Sequence, residues 1–112
     1  MYSINRSAIK IKPKQPFVDW INTNGEDKVT PQQLSGDSPI ILLREFFKES
    51  DEEKCLKSKY EEIFFHQLWA WCTDEAVWPE SRNWRLFQEW FEIEVSSEVF
   101  DMEEEKIERE EV

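Results

Sequence analysis

The chain has 112 residues and 13.6 kDa, with 25 acidic against 14 basic side chains, a net charge of −11 and a pI near 4.5. That size holds one hydrophobic core, and the charge opposes phosphates and anionic lipid, so neither direct nucleic-acid binding nor membrane attachment is expected. Hydrophobic residues are only 39%, yet six Trp and eight Phe bury much area each, and two Gly exclude low-complexity disorder over most of the length.

No signal peptide opens the chain, and no apolar run approaches the ~20 residues of a membrane span. Cys55 and Cys72 are the two cysteines, which without a secretory signal reads as reduced thiols in the cytoplasm.

Ser7 to Lys12 alternates apolar and polar, with Ile9 and Ile11 on one side and Lys10 and Lys12 on the other, the pattern of a half-buried strand ended by Pro13. Pro16 then suits a first helical position. Phe17, Trp20 and Ile21 make one apolar face of a short helix, and Gly25 is its expected stop. Thr30-Pro31-Gln32-Gln33 has the form of a capping box, opening a brief helix that Gly36 and Asp37 end. Ile40 to Leu43 is a continuous apolar run, and its length predicts a strand buried on both faces.

Ser50-Asp51-Glu52-Glu53 is a second capping-box pattern. A helical pattern follows to about Thr73, with Leu56, Tyr60, Ile63, Phe64, Gln67, Leu68 and Trp71 along one stripe. Phe65, Trp69 and Cys72 fall on roughly the opposite side, so the C-terminal half of this helix is apolar nearly all round. Thr73-Asp74-Glu75 caps a single turn that ends before Pro79, and helix resumes from near Ser81 to about Trp90. From Phe91 to Val99 the period changes to two, predicting a strand over a continued helix. The last ten residues, Glu103 to Val112, carry six Glu against one Lys and one Arg and read as a frayed acidic tail.

The layout is β-α-α-β-α-α-α-β followed by the tail. It predicts an α+β class: a small three-stranded, mainly antiparallel sheet packed against three to five helices in a single two-layer domain over residues 1–101, with 102–112 as the tail. Opposite charges suggest that the first and last strands pair, setting Lys10 and Lys12 beside Glu92, Glu94 or Glu98.

Chemistry-bearing patterns are sparse. The single histidine, His66, stands eleven residues from Cys55, about 16 Å along a helix, and Cys72 points away in azimuth, so no metal site and no Cys-His pair is expected. Nucleophile elbows, Gly-rich phosphate loops and zinc-protease patterns are missing, and no cofactor is implied. The least poor catalytic candidates are Asp74 and Glu75, acids beside Trp78 that would need a concave pocket to act. Arg6, Lys10, Lys12 and Lys14 form a basic stretch with no acid before Asp19, read here as a solvated strand face.

The aromatic density between Phe64 and Phe91 is the most distinctive feature, with five Trp within 22 positions. Phe65, Trp69, Cys72, Trp78 and Trp90 are the candidate interaction residues, because Trp joins a large apolar body to a donor.

Three phrases, I-K-P-K-Q-P-F-V-D-W-I-N, W-C-T-D-E-A-V-W-P-E-S-R and F-Q-E-W-F-E-I-E-V-S-S-E-V-F-D, span Ile11 to Asp101. On them the chain resembles a family of small bacterial proteins without a characterised activity. The resemblance implies a bacterial cytosolic domain and carries over no catalytic or binding residue. The Glu-rich end is similar to the acidic tails of some type IV secretion substrates, which makes a secreted effector the alternative location.

Three functions compete on this reading. The first is a non-enzymatic interaction module (an adaptor, inhibitor or dimeric accessory protein) that uses the Trp-rich helix face toward a protein partner or a second copy. The second is an acidic mimic of nucleic acid that binds a basic partner, and the third a small enzyme using carboxylate acid–base chemistry at Asp74 and Glu75.

Overall fold

The computed structural model describes residues 1–26, 28–36 and 38–112. The strands are β1 (Tyr2–Ser3), β2 (Ser7–Pro13), β3 (Ile40–Leu43), β4 (Phe91–Ser96) and β5 (Phe100–Asp101). The α-helices among the described residues are α1 (Gln15–Asn24), α2 (Pro31–Gly36), α3 (Glu49–Trp71) and α4 (Trp84–Trp90), with one 3-10 turn at Glu75–Val77. The class is α+β, as the periodicity predicts.

The central sheet has the order β3-β2-β4 with both pairings antiparallel. The terminal strands pair as their charges suggest. Lys10 stands opposite Glu94 and Lys12 opposite Glu92, while Glu98 lies beyond the strand. The inner face carries Ile9 and Ile11, fully buried, in register with Ile41, Val95 and Ile93. The outer face carries Ile40, Leu42, Lys10, Lys12, Glu92 and Glu94.

β1 and β5, two residues each, have no sequence signal of their own. Tyr2 pairs with Asp101 and Ser3 with Phe100, and the Ile4 amide donates to the Val99 carbonyl at 3.0 Å, so the β2–β4 ladder continues outward as a two-stranded ribbon. Between the two sheets the four residues 4–7 face the three residues 97–99, so the register shifts by one residue there. Beyond Asp101 the chain has neither helix nor strand, and its first turn is tied by Tyr2 donating to Glu104 at 2.6 Å.

Three local expectations need correction. β3 is an edge strand, with Ile40 67% and Leu42 44% exposed, not a strand covered on both faces. An apolar run reports hydrophobicity but not lateral position in a sheet. α3 begins at Glu49 after Lys48, which makes no side-chain cap bond, so the Ser50 box pattern is taken into the first turn instead of capping it. α4 begins at Trp84, three residues later than Ser81, because the Asn83 side chain accepts the Leu86 amide at 2.9 Å.

Other boundaries follow the sequence. Thr30 and Gln33 form a reciprocal capping box: the Thr30 amide donates to Gln33 Oε1 at 2.8 Å and the Gln33 amide to Thr30 Oγ1 at 3.2 Å. α2 ends at Gly36, and Asp37, part of its expected stop, lies outside the described residues. Gly25 ends α1, though in extended conformation at φ −83°. Its need for glycine is a close approach, since a Cβ there would stand 2.8 Å from the Ile21 carbonyl oxygen.

The core is an aromatic cluster at the helix-to-strand switch. Phe91 begins β4 directly after Trp90 ends α4, and its ring lies 4.7 Å from Phe17, 5.2 Å from Phe87 and 5.5 Å from Phe64 between centroids. Side chains from α1, α3 and α4 thereby meet on the residue that opens the last central strand. This fixes α3, the 23-residue helix, with one stripe inward and the other facing out.

Candidate interaction surface

The inward stripe of α3 buries Cys55, Leu56, Ile63, Phe64, Gln67 and Leu68. One position further round, Phe65 remains 47% and Trp69 50% exposed. Four residues apart, they stack with ring centroids 5.9 Å apart and planes inclined by 9°. The exposed side of a helix ordinarily carries charge, so two half-open aromatic rings there are a departure from that economy.

Trp78 holds this pair from below. It is 5% exposed, and its ring meets Phe65 at 5.2 Å and Trp69 at 6.4 Å, edge-on to both. Its Nε1 donates to the Cys72 carbonyl at 2.8 Å. The segment that carries Trp78 is folded back in turn. Asp74 accepts the Ala76 amide at 3.1 Å to cap the 3-10 turn, and Trp20 Nε1 donates to the Val77 carbonyl at 2.9 Å. Arg82 lies 5.6 Å from the Trp78 ring centroid, a cation–π distance. Val77, next to Trp78 in the chain, is 37% exposed.

Among the candidate interaction residues, the structure therefore joins Phe65, Trp69 and Trp78, with Trp78 as support and not as contact surface. Cys72, half-buried, caps the helix and supplies the carbonyl that orients Trp78. Trp90 belongs to a different cluster, 5.9 Å from Phe17, 6.1 Å from Trp20 and 5.7 Å from Phe64. A one-dimensional aromatic count cannot separate these two groups.

Carboxylates border the patch. Glu61 and Glu62 are exposed one turn before Phe65, and Asp74 and Glu75 are exposed just past the helix end. A cleft of about 490 Å³ opens beside Trp69, with Glu26 and Asp74 in its lining. Asp74 and Glu75 are both exposed, and the Asp74 carboxylate is engaged in capping the 3-10 turn.

The remaining chemistry-bearing residues stay apart. His66 is exposed, Cys55 is buried, and no group of three metal-ligating side chains occurs among the described residues. Two of the four cations of the basic N-terminal stretch are engaged elsewhere: Lys12 pairs with Glu94 at 2.7 Å and Lys14 Nζ donates to the Gln88 carbonyl at 2.8 Å. No helix among the described residues is long and apolar enough to cross a membrane. No family model, curated protein or solved structure matches the chain.

Proposed function

We propose that this protein is a non-enzymatic interaction module that docks a protein partner on the Phe65–Trp69 face of α3. The observation that carries the reading is the stacked, half-exposed pair held up by a buried third ring. A rigid aromatic anchor loses little side-chain entropy on binding and offers a large apolar area, the composition of a binding hot spot. The carboxylates around it favour a partner with an apolar anchor flanked by Lys or Arg. A second copy carries the same −11 charge and is repelled at long range, so a basic heterologous partner is the better match. The module works in the cytoplasm, where Cys55 and Cys72 remain free thiols.

The test compares affinity enrichment by the wild-type protein and by Phe65→Ala/Trp69→Ala, followed by titration of each purified candidate against both forms. A partner that binds the wild type at least tenfold tighter than the double variant, with affinity falling as salt rises, supports the reading. A purified partner that binds both forms equally, in a variant with unchanged circular dichroism, removes this face from the interaction.

A further inference from the structure

We propose that a second cleft, on Arg6, Arg44 and Lys59, binds a small molecule through its phosphate group. The three cations come from three separate segments. Arg6 immediately precedes β2, Arg44 immediately follows β3, and Lys59 lies on α3. They line one cleft of about 600 Å³, with Leu43 and Cys55, both buried, among its apolar lining. That volume is in the range of small-ligand pockets and exceeds what a bare phosphate fills, leaving room for the group it is attached to.

Charge placement is the argument. Acidic residues outnumber basic ones 25 to 14 in this chain, yet among the described residues no carboxylate lines the cleft. The salt bridges among the described residues use Lys12, Lys57 and Arg85, and none uses these three cations. Glu45 and Asp51 border Arg44 in an adjoining cleft, but neither stands in an ion pair with it. Like charges gathered around one concavity repel unless an anion joins them, and a chain so rich in Glu had ample means to supply one.

The donors suit a phosphate. Arg6 Nη1 is fixed by bonds to the Asn5 carbonyl at 2.8 Å and Asn5 Oδ1 at 3.0 Å, which leaves Nε and Nη2 without a partner among the described residues. Arg44 and Lys59 make no side-chain hydrogen bond among those residues. Two guanidinium groups and one ammonium are donors of the kind that bind a phosphate monoester, which offers three oxygens where a carboxylate offers two. A long nucleic acid would meet the negative field of the rest of the molecule, so the ligand is small. The site is independent of the Phe65–Trp69 face.

The experiment is an NMR titration of the labelled full chain with inorganic phosphate, following backbone amides and Arg Nε–H signals, against sodium acetate at matched ionic strength. The expected result is saturable shifts at Arg6, Ser7, Arg44, Ser58 and Lys59, with acetate at least tenfold weaker. Arg44→Gln and Lys59→Gln, both at exposed positions, each weaken phosphate at least fivefold, while Lys54→Gln in the adjoining cleft leaves it unchanged. Shifts that never saturate, that spread over all the lysines, or that survive in both glutamine variants overturn the proposal, as does equal binding of acetate.

Discussion

Lys12 Nζ stands 2.7 Å from Glu94 Oε2, although the ladder sets Lys12 opposite Glu92 and gives Glu94 to Lys10. The ion pair is diagonal, which long side chains allow on a twisted antiparallel pair. The hydrogen bond from Lys12, then its charge, holds the Glu94 carboxyl below the usual carboxylate range, and the charge of Lys10 adds to this. The same bond and charge hold the Lys12 ammonium above its ordinary range. A depressed acid contributes stability above its unfolded pKa and loses it as pH falls through the folded value. A raised base contributes below its unfolded pKa and loses it as pH rises through the folded value. The pair is therefore complete from about pH 5 to about pH 10. Glu94→Gln should be less stable than wild type within that window and should converge with it as pH falls through the lowered Glu94 pKa. At 1 M NaCl the gap should shrink, because both groups are solvated. Urea melts across pH test this, and a gap that persists at acid pH would rule the pair out as its cause.

Trp78 has two separable roles, filling space beneath Phe65 and Trp69 and satisfying the Cys72 carbonyl. Trp78→Phe keeps most of the ring and should cost about 1 kcal/mol, the scale of one hydrogen bond with some lost volume. Trp78→Ala should cost about 3–5 kcal/mol, the range for large aromatic deletions in a core. Urea denaturation midpoints measure both. A near-neutral alanine variant would mean that the loop from Thr73 to Asn83 is not docked on α3.

The helix starts offer a controlled comparison. Thr30 forms a reciprocal box and Asn83 a single cap bond, whereas the Ser50 pattern forms none. Thr30→Ala and Asn83→Ala should each destabilise by about 1 kcal/mol. Ser50→Ala should change stability by less than about 0.5 kcal/mol, as ordinary surface substitutions do. Equal losses at all three would show that α3 starts at Ser50 in solution.

Ser7 is fully buried at the start of β2, and its hydroxyl accepts the Phe46 amide at 2.9 Å. Ser7→Ala removes the acceptor and leaves that amide buried without a partner, at a cost of about 1–3 kcal/mol. Hydrogen exchange at the Phe46 amide should accelerate more than at neighbouring sheet amides. An unchanged rate would show that another group satisfies it.

What could be read from the chain divides along physical lines. Period-two alternation at Ser7–Lys12 and Phe91–Ser96, with charges of opposite sign, identified two strands and their partnership, because side-chain alternation and cross-strand attraction are local rules. Thr30-Pro31-Gln32-Gln33 was legible for the same reason, since the box is closed within four residues. That Phe65 and Trp69 lie opposite the stripe through Leu56 and Phe64 followed from helical geometry, whereas whether that side is covered or open depends on what packs against the helix. The edge position of β3 was not legible, since hydrophobicity does not say which strand lies in the middle. The split of Trp78 from Trp90, and the meeting of Arg6, Arg44 and Lys59, depend on how distant segments pack, which no local pattern encodes.

The edge strand gives the sharpest test of register. Along β3 the side chains alternate: Ile41 lies beside Ile9 on the inner face, while Ile40 and Leu42 stand exposed on the outer face beside Lys10 and Ala8. An uncharged apolar edge is a template for unwanted strand pairing, and a lysine there is how natural sheets discourage it. Ile40→Lys and Leu42→Lys should each leave the folding free energy within about 0.5 kcal/mol, while slowing aggregation on heating as followed by light scattering. Ile41→Lys turns a charge toward the core and should destabilise by several kcal/mol, of the order of ~3. Reversing the alternation would reverse this ranking, because a one-residue slip exchanges the two faces. A protein in which Ile40→Lys is as damaging as Ile41→Lys therefore has β3 in a different register, or covered by another chain along its outer face.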